Sequence, residues 1–377
     1  MILGIDASTP GSGGAKRHLM ELLSCFDPDV HGFSEIKVWG GKEIFEEMPS
    51  SPNIIKITHP YLNKGLFYRI LWQIFIRDTA FKDQFDILFS PFGTYSGKIK
   101  PYVSMSRNML IFDAKERSRF GFGWLRLKFK ILYYRQKKSF LGADGIIFLS
   151  NYAQKIISEQ VDIKRKKTII IHHGVSKKFI QLPRCQYPIT DYDEQFPFKL
   201  LLVSSIWVYK HPWNIVEAVS KLRQKGYPVV LEIVGKNEQK KAETRLYETI
   251  KKVDPGLQFI KWHTDVSLDG VALYYKMADL FIFPSSCENM PNILIEAMSS
   301  GLPIACSNFS PMPEFLRDGG VYFDPTNVSD ILSVLEDMIL SPDTRKRKAA
   351  SSYNYSKKFN WKSCAENTFS FLHKNSK

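Results

Sequence analysis

Hydrophobic and polar positions along the chain follow two alternating periods. The opening MILGIDAS is a short apolar run, TPGSGG follows, and AKRHLMELLSCF then places Leu19, Leu22, Leu23 and Phe26 at helical spacing. That order predicts strand, glycine loop, helix. Short runs continue to alternate with helix-like stretches at DILFS (86–90), YVSMS (102–106), DGIIFLS (144–150) and TIIIHHGV (168–175), the pattern of a parallel sheet in an α/β domain. From 181 to 197 the sequence QLPRCQYPITDYDEQFP is rich in proline and turn formers and carries neither period, which predicts a linker. The alternation restarts with FKLLLVSS (198–205), VVLEIVG (229–235), LQFIKW (257–262), DLFIFPS (279–285), LPIACS (302–307) and GVYF (320–323), predicting a second α/β domain. In WKSCAENTFSFLHK (361–374), Trp361, Cys364, Ala365, Phe369 and Leu372 lie along one stripe of a predicted helix. The expected organisation is therefore a first domain over 1–180, a linker over 181–197, a second domain over 198–360, and a C-terminal helix over 361–377 whose crossing back to the first domain stays open.

Length agrees: 377 residues are many for one core and suit two domains of similar size. The most apolar window, LFYRILWQIFI (66–76), is interrupted by Arg69 and Gln73, so no membrane crossing is expected. The start lacks a basic n-region and cleavage site, which makes the cytoplasmic side the expected location. The five cysteines, Cys25, Cys185, Cys287, Cys306 and Cys364, form no CxxC pair and read as reduced thiols.

Charge changes the picture more. Of the net +14, residues 1–190 hold +13, with 29 Lys and Arg against 16 Asp and Glu, and the remainder holds +1. This asymmetry points to a polyanionic partner for the first half alone, nucleic acid or an anionic membrane surface, against the alternative of a basic pI kept for solubility. From Lys115 to Lys138 nine cations meet one acid, Glu116, interleaved with Phe120, Phe122, Trp124, Phe129, Tyr133 and Tyr134. Such a segment suits a monotopic membrane contact, with rings at headgroup level and cations on anionic lipid. LFYRILWQIFI reads either as part of that contact or as an amphipathic helix packed on its own domain.

Candidate chemistry concentrates in FPSSCENMPNILIEAMSSGLP (283–303), where two glutamates flank a proline. Pro291 suits the first turn of a helix, because its missing N–H would be unpaired there anyway. Glu288 then falls in the loop before the helix and Glu296 about five residues, or about 7–8 Å, into it. Between them lie the free N–H groups of a helix N-terminus, an anion site ready for a phosphate. A nucleotide sugar spans all three: diphosphate on the helix, Glu296 on the ribose diol, Glu288 toward the sugar. The plainer reading is one acid favourable to the helix dipole and one solvent-facing glutamate. His172 and His173, adjacent in a predicted strand, face opposite ways, so no metal site is implied. DYD (191–193) lies in the predicted linker with no strand before it.

The order DLFIFPS, loop with Glu288, proline-started helix with Glu296, Gly301 and LPIACS resembles the signature segment of the family 4 glycosyltransferases. In that family the segment reads E, seven residues, E, often with glycine and phenylalanine after the first Glu; Asn289 and Met290 stand there instead. GSGGAKRH (11–18), with Gly13 and Gly14, is similar to the family's N-terminal glycine loop, which closely approaches the donor. FLSNYAQKIIS (148–158) and IIIHHGVSKKF (169–179) resemble segments near the interdomain crossing, with His173 replacing an asparagine. SSIWVYKHPWNIVEAVSKL (204–222) resembles the segment that carries an arginine and, five residues on, a lysine over the donor phosphates; Lys210 fits the lysine, while Ser205 stands at the arginine. In VSMSRNMLIFD (103–113), Arg107 and Asn108 stand where many relatives have a histidine or aspartate near the donor sugar; the other reading is a loop pair that caps the next segment.

The resemblance implies the GT-B fold, two Rossmann-like α/β domains facing each other across a cleft, with donor on the second and acceptor on the first. It implies retaining transfer from a nucleotide-diphosphate sugar to a hydroxyl of a glycan or lipid-linked acceptor, in cell-envelope polysaccharide or lipopolysaccharide synthesis, without metal or cofactor. The residues it assigns are Glu288, Lys210, Arg107 and Asn108 for catalysis, and Gly13, Gly14, Ser205, Lys210, Asn289, Met290, Pro291, Asn292 and Glu296 for the donor. Many relatives use lipid-linked acceptors at the inner membrane face, which agrees with the basic first half and places the protein peripherally on that face. A nucleic-acid partner is not expected, since it leaves the second-half signature unexplained. An epimerase of the same fold and a non-enzymatic nucleotide-sugar or nucleic-acid binding protein stand as alternatives.

Overall fold

The computed structural model describes residues 1–9 and 13–376. The chain divides into two compact units: Met1–Arg117, Phe122–Gly174 and Phe359–Lys377 make the first, Ser118–Gly121 and Val175–Lys358 the second.

In the first unit, β1 (Ile2–Ala7), β2 (Glu35–Gly40), β3 (Ile54–Ile57), β4 (Ile87–Ser90), β5 (Tyr102–Met105), β6 (Gly145–Phe148) and β7 (Lys167–Ile170) form a sheet in the order β3-β2-β1-β4-β5-β6-β7. All of its pairings are parallel. β4, β5 and β6 are buried at every position; strands covered on both faces read as unbroken apolar runs, and the sequence shows them so. β2 and β3 were not expected. In β2 the half-buried Glu35 and Lys37 alternate with buried Ile36 and Val38, and β3 exposes Ile55 and Lys56 at the sheet edge, so neither is a continuous apolar run. β7 stops at Ile170, before the histidine pair.

In the second unit, β8 (Phe198–Val203), β9 (Val229–Val234), β10 (Ile260–His263), β11 (Leu280–Phe283), β12 (Ile304–Ser307) and β13 (Val321–Phe323) form a parallel sheet in the order β10-β9-β8-β11-β12-β13. This is the doubly wound order in which the chain builds outward from one central strand, then reverses and builds from its other side. β8 is that central strand. Its loops and those of β11 leave the sheet at the reversal point, where such sheets bind ligands. Trp213, Ile215 and Val219 from one helix and Ile331, Leu335 and Met338 from another belong to the buried apolar core of this unit.

Residues 181–197 are not a free linker: they belong to the second unit and are pinned to it. Gln181 N–H donates to the Ser299 carbonyl at 2.9 Å and Ser300 Oγ to the Phe179 carbonyl at 2.8 Å. The passage is so close that a Cβ on Gly301, whose φ is +64°, would stand 2.5 Å from Pro183 N. The fully buried Arg345 donates from Nε to Gln186 Oε1 at 3.1 Å and from Nη2 to the Tyr187 carbonyl, while Nη1 caps the Met338 and Ile339 carbonyls at 2.7 and 2.6 Å. A segment held by single polar contacts carries no hydrophobic period. The division of the chain accordingly falls at Gly174–Val175, earlier than residue 180.

From Phe359 onward the chain is part of the first unit. Gly174 lies against the start of the last helix, where a Cβ would stand 2.3 Å from Trp361 N. That helix, Trp361–His373, buries Cys364, Ala365, Thr368, Phe369, Phe371 and Leu372, and the Phe369 ring lies 5.3 Å from Phe26 and 6.4 Å from Phe33. Among the described residues no helix is long and apolar enough to cross a membrane.

Candidate active site

The second unit builds its site from the loops that follow β8 and β11. After Val203 the chain makes a 3-10 turn over Val208–Lys210, and His211 takes a left-handed conformation, φ +47°, before the helix Pro212–Gln224 begins. A residue before proline is disfavoured in the right-handed helix, so turn and helix cannot merge here. The Ser286 N–H donates to the Tyr209 carbonyl at 2.9 Å, and Ser286 Oγ lies 2.9 Å from His211 Nε2. The two loops are thereby knitted, and Lys210 Nζ donates to Glu288 Oε1. The ammonium, mostly buried, lies 5.3 and 5.4 Å from the ring centroids of Tyr209 and Phe283. A cation held between two rings and a carboxylate is fixed in place before any anion approaches.

Burial, with the Arg119 and Arg245 guanidiniums nearby, pushes His211 down to about 3, so it is a neutral hydrogen-bonding partner at pH 7. Burial and then the Glu288 charge push both the Tyr209 hydroxyl and the Cys306 thiol up. The helix after β11 runs Asn292–Ser299, with Pro291 as its cap at φ −81°, ψ 78°, rather than within the first turn as expected. Its first bond is Ile295 N–H to the Pro291 carbonyl at 3.1 Å. Asn289 and Met290 are buried and Asn292 half-buried in the turn that enters it. Glu296 is buried rather than solvent-facing, and its Oε2 accepts from the Tyr275 hydroxyl at 3.4 Å. Ser205 is exposed at the start of the loop after β8.

In the first unit, Gly13 takes a positive φ of 55° at the cap of the helix Gly14–Ser24; Gly11 and Ser12 of the glycine loop lie outside the described residues. Arg107 Nη2 donates to the Gly14 carbonyl at 2.9 Å, which joins these two assignments. Burial lowers the guanidinium to about 10, so it stays charged at neutral pH. Asn108 turns to its own loop, accepting from Leu110 N–H at 3.0 Å, as the capping alternative has it. Beside Arg107 the buried His18 stacks on His173 at 4.4 Å, with Trp361 at 5.8 Å and Cys364 Sγ at 3.9 Å. Burial, then His173 and Arg107, hold His18 well below its usual range. The reading from sequence missed His18, Tyr275, Ser286 and His211; only His211 carries a local signal, its place before Pro212.

Two parallel sheets in these orders define the class, the GT-B glycosyltransferase fold. Solved structures of that fold cover nearly the whole chain. WaaG, a glycosyltransferase involved in lipopolysaccharide biosynthesis, aligns with a TM-score of 0.71 at 16% identity over 99% of each chain. HepE from Anabaena, solved with UDP and glucose, aligns with a TM-score of 0.71 at 15% identity over 99% of this chain and 100% of its own. The family model described as glycosyl transferases group 1 matches residues 194–357. The serotype-specific mannosyltransferase WbdA of Escherichia coli is 27% identical over 249 residues, 63% of this chain and 29% of that protein. The second unit thus matches the glycosyl transferases group 1 model, and the chain spans under a third of the WbdA it matches.

Proposed function

We propose that the protein is a retaining, metal-independent glycosyltransferase that moves a sugar from a nucleotide-diphosphate sugar to a hydroxyl of a glycan or lipid-linked acceptor, in the synthesis of a cell-envelope polysaccharide or lipopolysaccharide. The observation that carries this reading is the Lys210–Glu288 pair at the reversal point of the second sheet, beside the helix that bears Glu296. In this reading the donor diphosphate takes Lys210 as counter-ion and the first turn of that helix as donor. Glu296 accepts from ribose hydroxyls and Glu288 faces the sugar. The bond from anomeric carbon to phosphate oxygen breaks with its electron pair on the diphosphate, while the acceptor oxygen bonds to the same carbon and its hydroxyl proton passes to the departing phosphate oxygen. The charge that develops on the departing diphosphate is what the fixed cation stabilises. Names of relatives that specify mannosyl transfer support a hexose as the sugar. The acceptor binds the first unit, whose basic surface rests on an anionic bilayer at the cytoplasmic face.

Calorimetry and initial rates with UDP-, GDP- and dTDP-sugars test the assignment. One nucleotide should bind the wild type; Glu296→Ala should weaken it by about 1.5–3 kcal/mol, the scale of a hydrogen bond to a charged group, and Glu288→Gln should chiefly slow turnover. Wild-type affinity and rate in both variants would remove the site.

A further inference from the structure

We infer that a groove beside the long basic helix of the first unit, Trp124–Gly142, is a discrete binding site for the phosphate of an anionic bilayer phospholipid. The groove encloses about 590 Å³, within the range of small-molecule sites. Its lining includes three cations, Arg117, Arg126 and Lys130, and no carboxylate. Arg126, Leu127, Lys130, Tyr133 and Tyr134 recur at helical spacing, so one face of the helix forms the wall. The buried Phe129, Gln136, Ser139 and Phe140 anchor the other face in the unit. Arg117 is held by donating to the Ile111 carbonyl, 5.7 Å from the Tyr133 ring centroid.

The mouth of the groove identifies the occupant. Phe122, which lines it, is 98% exposed, and the neighbouring Trp124 is 71% exposed. Arg126 lies 5.0 Å from the Phe122 ring centroid, which puts charge directly beside the apolar lip. A soluble anion has no use for two bare aromatic rings at the rim, whereas a phospholipid presents a phosphate just above an apolar layer that receives them. Spread-out attraction between a basic helix and a charged surface would need no groove. This inference rests on the bilayer contact proposed above and is independent of glycosyl transfer.

The test compares two double variants with equal loss of charge on one helix, Arg126→Gln/Lys130→Gln inside the groove and Lys137→Gln/Lys138→Gln outside it. Partition of the full chain is measured on mixed phosphatidylcholine–phosphatidylglycerol vesicles and on phosphatidylcholine alone. At about 1 kcal/mol per cation near the surface, the groove pair should lose about 30-fold in partition to the mixed vesicles. The outer pair should lose far less, and both should keep wild-type Tm and nucleotide affinity. Equal losses in the two variants would overturn the groove and leave only a charged face. Calorimetric binding of inorganic phosphate without vesicle capture would overturn the lipid assignment. No vesicle capture by wild type would remove the bilayer contact itself, while leaving the nucleotide-sugar assays to decide the transferase reading.

Discussion

The two sheets share one winding scheme around β1 and β8, yet they dispose of charge at their reversal points in opposite ways. At the end of β1 an ion pair is locked inward: Asp6 pairs with Arg77 at 3.3 Å, with side chains 3% and 5% exposed. Beside that pair Thr9 Oγ1 lies 3.0 Å from Thr94 Oγ1, and Gln73 donates from Nε2 to Thr9 at 3.2 Å while its Oε1 accepts from Arg135 Nη2 at 2.6 Å. After β8 the ion pair of Lys210 and Glu288 sits in the loops themselves, at 10% and 17% exposure, within reach of a ligand. The same topology therefore supports an ion pair buried between strand and helix in one unit and an ion pair between loops in the other, the second being the one proposed above to act on the donor.

Breaking each pair should separate the two roles. The largest effect is expected from Arg77→Ala, which leaves Asp6 buried without its counter-ion and should cost about 3–5 kcal/mol of stability in denaturant unfolding, with nucleotide affinity unchanged in the folded fraction. Lys210→Ala should cost less stability than that, because Glu288 is more exposed than Asp6, and about 2.7–4 kcal/mol in kcat/KM; an unchanged kcat/KM would assign the leaving-group charge to another cation. The smallest effect sharpens the comparison through pH. His211 sits at about 3 when folded and at about 6.5 when unfolded. The unfolded chain thus binds the proton first, and stability falls as pH drops from 6.5 toward 3, by about 1.4 kcal/mol at pH 5.5. His211→Asn, which tolerates the left-handed conformation, should remove that increment from the difference between unfolding at pH 7.5 and 5.5.

Much of this was legible from the chain. The apolar runs marked the strands that are buried at every position, such as β4, β5, β6, β11 and β12, and the E-seven-E spacing marked the loop and helix of the candidate site. What stayed hidden depends on partners far away in sequence. Lys210 and Glu288 are 78 residues apart and meet because β8 and β11 are neighbours, an adjacency that no local period encodes. Residues 181–197 looked like a linker because their anchor is the Arg345 guanidinium, a charge that composition alone would place on the surface. β2 and β3 escaped because Lys37 and Lys56 interrupt them.

The return of the chain to the first unit has a consequence for the order of events during synthesis. The second unit draws its sheet from one continuous stretch, whereas the first leaves the face against Gly174, Phe26 and Phe33 uncovered until the helix Trp361–His373 arrives. At about 5–20 residues per second, the ribosome takes about 10–40 s to make the residues between. The unit begun first is therefore the one completed last, and during that interval Phe26 and Phe33 lack the ring of Phe369 that covers them in the folded protein.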